Sequence, residues 1–196
     1  MKDTYIKGVA AGGGGSVGLL PLKTGQTTSY RTGDDGDLQE GRDVDFYTLP
    51  SNNPFGNTDR FSDELGGTVY ASGILLDWST FDGTNVIGWR ITSNGVAITW
   101  DSAIDEALTL SIGGFSSGWR LPNNNESTML YNTVTTRHLN YAPFNNTTNN
   151  RYWTGTVPGS ITSYAYVLVN RPTDISGWPR TGVQQYYPCR TFTVTG

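Results

Sequence analysis

One cysteine, Cys189, and one histidine, His138, serve the whole 196-residue chain. A single thiol excludes an intramolecular disulfide and any multi-cysteine metal site. Lysine is almost as scarce: Lys2, Lys7 and Lys23 are followed by none. Charged residues make up 15% of the chain, well under the roughly 25% of an average soluble domain. With a formal net charge of −4, nucleic acid and anionic membrane are poor partners. No stretch approaches the ~20 consecutive apolar residues of a membrane span. The opening "MKDTYIKGVAAGGGGSVGLLPLK" is broken by Asp3 and by Gly12 to Gly15 before an apolar signal region can form, so neither a cleavable signal nor an anchor is read there.

What the chain has instead is glycine, aromatics and neutral polar residues. The 25 glycines are about twice the usual ~7% share. Six Trp, eleven Tyr and seven Phe accompany abundant Asn, Thr and Ser, the palette of a β-rich, loop-rich domain whose surface meets something uncharged. Residues 1–22 read as a Gly-rich arm or linker, and residues 23–196 as one domain. After an opening rich in turn residues, "GGTVYASGILLDW" predicts a hairpin, Thr68 to Ala71 against Ile74 to Trp78, turning at Ser72-Gly73. "TWDSAIDEALTL" predicts an amphipathic helix: Trp100, Ala103, Ile104, Ala107 and Leu108 share a stripe, Thr99 caps it and Asp101 sits in its first turn. Gly113-Gly114 is expected to end it. Pro122 heads a second, shorter helix entered through an Asn cap, with Glu126 in its first turn and Met129, Leu130 and Val134 inward. "RYWTGTV", "SYAYVLVN" and "CRTFTVT" then read as strands. Helices between strands give an α+β domain: two short helices, antiparallel strands and long ordered loops, with the terminal strands paired.

The motifs resemble a known family. "ITWDSAIDEALTLSIGGFSSGWRLPNNNE" is similar to the signature of the Lcl C-terminal-like family, named after the C-terminal domain of a collagen-like bacterial adhesin. "KTGQTTSYRTGDDGDLQEG", "RFSDELGGTVYASGILLDW", "YWTGT" and "YYPCRTF" resemble further family segments in the same order, so residues 23–194 are covered. The resemblance implies a C-type-lectin-like fold, related to the formylglycine-generating enzyme and to variable ligand-binding proteins of phages, and no characterised catalysis. It also marks Trp100, Gly113, Gly114, Trp119, Arg120, Pro122, Glu126, Trp153, Cys189 and Arg190 as a structural signature. Three departures stand out: a lengthened Ser72 to Trp78 turn, the Asn124-Asn125 pair in place of better helix formers, and "STFDGTNVIGWRITSNG", which looks like an extra hairpin or loop.

Chemistry-bearing residues are few. Trp119 to Pro122 has the makings of architecture: an aromatic for the core, an Arg able to fork onto a carboxylate, and a Pro that stops one element and starts another. Asp34, Asp35 and Asp37 offer oxygen ligands for Ca²⁺, although their spacing does not fit an EF-hand loop and an Asx-rich turn is the alternative. No other cofactor is implied. Cys189 sits where a strand wants a small apolar residue, and formylglycine-type chemistry needs a second cysteine, so no enzyme and no catalytic residue is expected. Recognition is expected in two loops. Tyr141 to Trp153 carries Asn145, Asn146, Asn149, Asn150 and Tyr152; Asp174 to Tyr187 carries Trp178, Gln184, Gln185, Tyr186 and Tyr187. Amides both donate and accept, and aromatic faces stack on sugar C–H patches.

The resulting expectation is a non-enzymatic, lectin-like virion protein at a phage particle surface, acting as decoration, fibre or adhesin. Its Gly-rich arm would dock onto other virion or surface proteins, its loops would meet a glycan or host surface, and it would form a homo-oligomer. A bacterial cell-surface adhesin domain is the alternative, and an enzyme of the formylglycine-generating fold a second one.

Overall fold

A computed structural model describes residues 5–7, 26–38, 61–63, 72–81, 84–131, 144, 151–169 and 175–195. In chain order the elements are β1 (Tyr5–Lys7), α1 (Asp35–Leu38), β2 (Phe61–Ser62), β3 (Ile74–Asp77), a 3-10 turn (Trp78–Thr80), β4 (Asn85–Arg90), α2 (Trp100–Leu108), α3 (Asn124–Tyr131), β5 (Arg151–Trp153), β6 (Tyr164–Val169), β7 (Ile175–Pro179) and β8 (Cys189–Thr195). They form a mixed α/β structure with two sheets and a few short helices. One sheet runs β1-β8-β4-β3-β2 and the other β5-β6-β7. Within the two sheets every described strand pairing is antiparallel except β1 with β8.

The larger sheet is covered on both faces. Ile74, Leu76, Val86 and Phe192 pack on one side with Trp78 and Trp119. Leu75, Ile87, Trp89 and Cys189 pack on the other with Phe144, Tyr152, Leu168 and Tyr187, which joins the two sheets. Burial on both faces is why β3 and β4 read as apolar runs without alternation. A third cluster forms where Trp100, Ala103, Ile104 and Ala107 of α2 meet Trp153, Ala165 and Val167.

Four expectations need correction. "STFDGTNVIGWRITSNG" does hairpin, with β3, but it is not peripheral: it supplies β4, the central strand of the larger sheet, held by β3 on one side and β8 on the other. Its glycines and asparagines look like turn residues, yet Gly88 is a packing glycine. A Cβ there would lie 2.2 Å from Phe192 Cε2 and 3.2 Å from Leu76 Cδ2. Second, the expected strand from Ile74 ends at Asp77 as β3, and Trp78 belongs to the 3-10 turn; among the described residues the neighbours of β3 are β2 and β4, and its expected partner, Thr68 to Ala71, lies outside them. Third, Ile175–Pro179 is strand rather than loop, because an edge strand tolerates a proline that a central one does not. Fourth, α2 stops at Leu108, where Thr109 Oγ1 donates to the carbonyls of Asp105 and Glu106. Gly113 (φ 59°) and Gly114 (φ 84°) instead form a two-residue turn between bridge partners Ile112 and Phe115, with both residues in the left-handed region that glycine adopts without strain. Of the arm, Tyr5–Lys7 adds to the edge of β8, and Gly8 to Leu22 lies outside the described residues.

Several expectations agree with the structure. The α2 stripe is buried at Trp100, Ala103, Ile104 and Ala107, and Thr99 caps the helix by accepting from Ser102 N–H. The expected strands match β5, β6 and β8; β8 pairs with β4 inside the domain and with β1, a strand in the segment expected to be only an arm or linker.

Gly88→Ala is expected to destabilise the protein by about 1–3 kcal/mol through overpacking, because Trp119 and Phe115 hold the Phe192 ring edge-on at 6.3 and 4.9 Å. Urea denaturation would read this as a lower midpoint at unchanged slope.

Candidate functional site

Within the segment from Gly113 to Glu126, the turn up to Gly118 is exposed except for a half-buried Phe115, while Trp119 to Asn123 and Glu126 form a buried joint. Arg120 forks onto Glu126, Nη1 to Oε2 and Nη2 to Oε1 both at 2.7 Å. Both side chains are almost fully buried, at 5% and 1% exposure. Glu126 also accepts from the Asn123 N–H at 2.7 Å, and Asn123 Oδ1 accepts from the Glu126 N–H at 2.8 Å. That is a reciprocal capping box with Asn as cap, and it starts α3 where the sequence predicts. Arg120 and Cys189 exchange both backbone hydrogen bonds at 3.0 Å, and Arg120 Nη1 reaches Cys189 Sγ at 3.2 Å. Trp119 donates Nε1–H to the Phe115 carbonyl. The Arg190 guanidinium lies 5.1 Å from the centroids of Phe115 and Phe192 and donates to the Ser117 carbonyl. Trp100 and Trp153 are cross-tied, Trp100 Nε1 to Thr154 O and Trp153 Nε1 to Ile98 O, each at 2.8 Å. The signature residues thus form the frame.

The acidic turn is tied to backbone. Asp34 accepts from Tyr30 N–H at 2.7 Å and Asp37 N–H at 2.9 Å, and Asp37 accepts from Gly33 N–H at 2.7 Å. Asp35 accepts from the Thr156 hydroxyl. This is the Asx-rich turn, closed into the four-residue α1. Among the described residues no group of three or more His, Cys, Asp or Glu side chains converges as a metal site.

The two expected recognition loops fare differently. Asn145, Asn146, Asn149, Asn150 and His138 lie outside the described residues. Tyr152, Tyr186 and Tyr187 do not face outward: all three are buried at 3% exposure or less, with Tyr187 packed on Tyr152 and Phe144. Core demand for large aromatics wins over the polar look of their neighbours. Gln184 and Gln185 are bridge residues, paired with Ile98 and Tyr152; the Gln185 carbonyl accepts from Trp153 N–H, and its amide oxygen accepts from Ser93. Trp178 is half-buried, with the Arg151 guanidinium 4.3 Å from its ring centroid. Burial, together with the negative charge of Glu106, pushes the Tyr186 phenol well above its ordinary 10.0.

A concave site does open elsewhere. A cleft of about 410 Å³ lies between residues 26–30, the first residues of α3, the 156–159 turn and the face of β6 that carries Tyr166. Its walls are fixed by structure already described. Asp34 pins residues 30 and 31, Gln26 Oε1 accepts from Val157 N–H, and Thr156 Oγ1 accepts from Asn124 N–H while donating to Asp35. The lining side chains are Gln, Thr, Tyr, Asn, Val and Pro, and none carries a charge. No protein-family model and no curated protein matches this chain. The cleft escaped sequence reasoning because its parts come from four distant segments. Tyr166 alone gave a signal, as an aromatic on the outward parity of a strand whose Ala165 and Val167 face the core.

Glu126→Gln leaves a buried Arg120 uncompensated and is expected to cost roughly 3–5 kcal/mol, whereas the double change Arg120→Met with Glu126→Leu should cost less; urea midpoints of the three proteins check this ordering. The raised Tyr186 pKa makes the unfolded chain lose this proton first, so stability present below pH 10 should decline as pH rises above it. Tyr186→Phe is expected to remove that part of the alkaline loss, read from thermal midpoints at pH 8 to 11.

Proposed function

We propose that this chain is a non-enzymatic recognition module of a particle surface, built as a C-type-lectin-like domain of the Lcl C-terminal-like kind. The observation that carries this reading is the cleft: a neutral, hydrogen-bonding concavity held on a frame of buried tryptophans and one buried ion pair. A rigid scaffold that presents adaptable polar groups is the usual arrangement for recognition. The collinear motif resemblance supports the same domain kind. So does the pair of sheets joined through one aromatic cluster.

In this reading the protein is a phage virion component used for decoration, fibre or host attachment. Residues 8–18 of the arm reach neighbouring subunits and make it a homo-oligomer, consistent with a β8 edge that already accepts a strand from the same arm. The Arg151–Trp178 stack extends the surface offered to a partner.

Immunogold labelling of purified particles with an antibody to residues 23–196 is expected to decorate their outer surface. Label confined to the bacterial envelope would instead identify a cell-surface adhesin. Removing residues 1–22 is expected to lower particle incorporation, and unchanged incorporation would end the docking role of the arm.

A further inference from the structure

We infer that the cleft between residues 26–30 and the start of α3 takes a neutral, hydroxyl-rich ligand, a short stretch of uncharged glycan. The inference rests on the recognition-module reading and names the ligand class of that same cleft.

Three observations carry it. The first is charge. The lining holds no Asp, Glu, Lys, Arg or His, and the Asp34 and Asp35 carboxylates that fix its walls are 0% and 5% exposed and accept hydrogen bonds from the protein. A sulfated or sialylated ligand would lose its hydration and gain no counter-charge. The second is hydrogen-bonding character. Thr27 and Thr28 are exposed and bring hydroxyls, and the half-buried Asn124 brings a carboxamide to the lining, with no partner for its Oδ1 among the described residues. Sugar hydroxyls donate and accept, matching amides and hydroxyls that do the same. The third is the pair of tyrosines. Tyr30 and Tyr166 are half-buried and line the cleft, which gives aromatic surface for a sugar's C–H face. A volume of about 410 Å³ falls in the usual range of small-ligand sites, roughly 300–1,000 Å³.

Not every lining group takes part. Gln26 and Thr156 are held by Val157, Asn124 and Asp35, so they shape the walls. Recognition falls to Thr27, Thr28, Tyr30, Asn124 and Tyr166.

The test is an array of neutral, sialylated and sulfated glycans probed with the full chain, followed by calorimetry with the best neutral and best acidic hits. Asn124→Ala and Tyr166→Ala are compared with Val96→Ser, a change at an exposed residue outside the cleft. Thermal midpoints confirm that each variant folds; Asn124→Ala carries the decision if Tyr166→Ala does not. Neutral glycans should bind best, with a loss of about tenfold or more for Asn124→Ala and none for Val96→Ser. Preference for acidic glycans, or affinity indifferent to Asn124→Ala, overturns the inference. Absence of glycan binding while the protein still decorates particles overturns it too, and leaves the surface-module reading standing; absence of both removes the two together.

Discussion

The fold turns on one buried ion pair. Arg120 and Glu126 are six residues apart and almost fully desolvated, a placement that is tolerable only because every strong acceptor is matched. The guanidinium forks onto both carboxylate oxygens, and the carboxylate takes the Asn123 N–H as well. Because Arg120 also pairs with Cys189 through its backbone, the same contact starts α3 and sets it against the first residue of β8. Pro122 between the partners lacks an N–H that would need a partner, and its carbonyl accepts from Gly155. Three parts of the chain, near residues 120, 155 and 189, are thereby fixed to one another.

From that joint the cleft follows as a consequence. Gly155 ties back to Pro122 on one side and accepts from Asp35 N–H on the other, so the acidic turn is drawn against the beginning of α3. Thr156 completes the junction by bridging Asn124 N–H and the Asp35 carboxylate. Residues 26–30 lie above it, pinned by Asp34 and Gln26. Each wall of the concavity is held by a group whose own hydrogen bonds are met within the frame, which is the condition for a pre-formed site.

What was legible in the sequence was whatever is local. The 3.6-residue stripe of α2 and its Thr99 cap are properties of consecutive residues, as are the Asn123 cap and the β-branched run of β8. Leu108 marks the limit of the stripe: it falls at the right spacing yet is 38% exposed, because α2 ends there. Illegible were features decided by distant partners. Gly88 reads as a turn and is a central-strand glycine only because Phe192 arrives from 104 residues away. Tyr152, Tyr186 and Tyr187 sit among polar residues and read as surface, yet the junction of the two sheets needs the volume of Tyr152 and Tyr187, and the cluster under α2 that of Tyr186. For the site the position is starker. Asn124 and Tyr166 were visible as a helix start and a strand residue, but nothing local places them around one concavity with Thr27 and Thr28.

The scarcity of charge acquires a physical reading once its members are located. Arg120, Glu126, Asp34, Asp35 and Arg190 are buried, and Arg180 lies 4.2 Å over the Trp100 ring with Asp101 Oδ1 at 2.6 Å. These ions act as fixed joints, each held by a fork, a cap or an aromatic face. A chain poor in charge that commits so many of its ions to the interior leaves its concave surface to amides, hydroxyls and rings. Such groups discriminate by the geometry of hydrogen bonds rather than by long-range attraction, so association through them gains little from electrostatic steering and depends little on salt. Affinity at a surface of this kind grows by repetition, many weak contacts presented together. Under the proposed function, that links the neutrality of the cleft to the glycine-rich arm: a module with weak individual contacts works best when its attachment arrays it in copies.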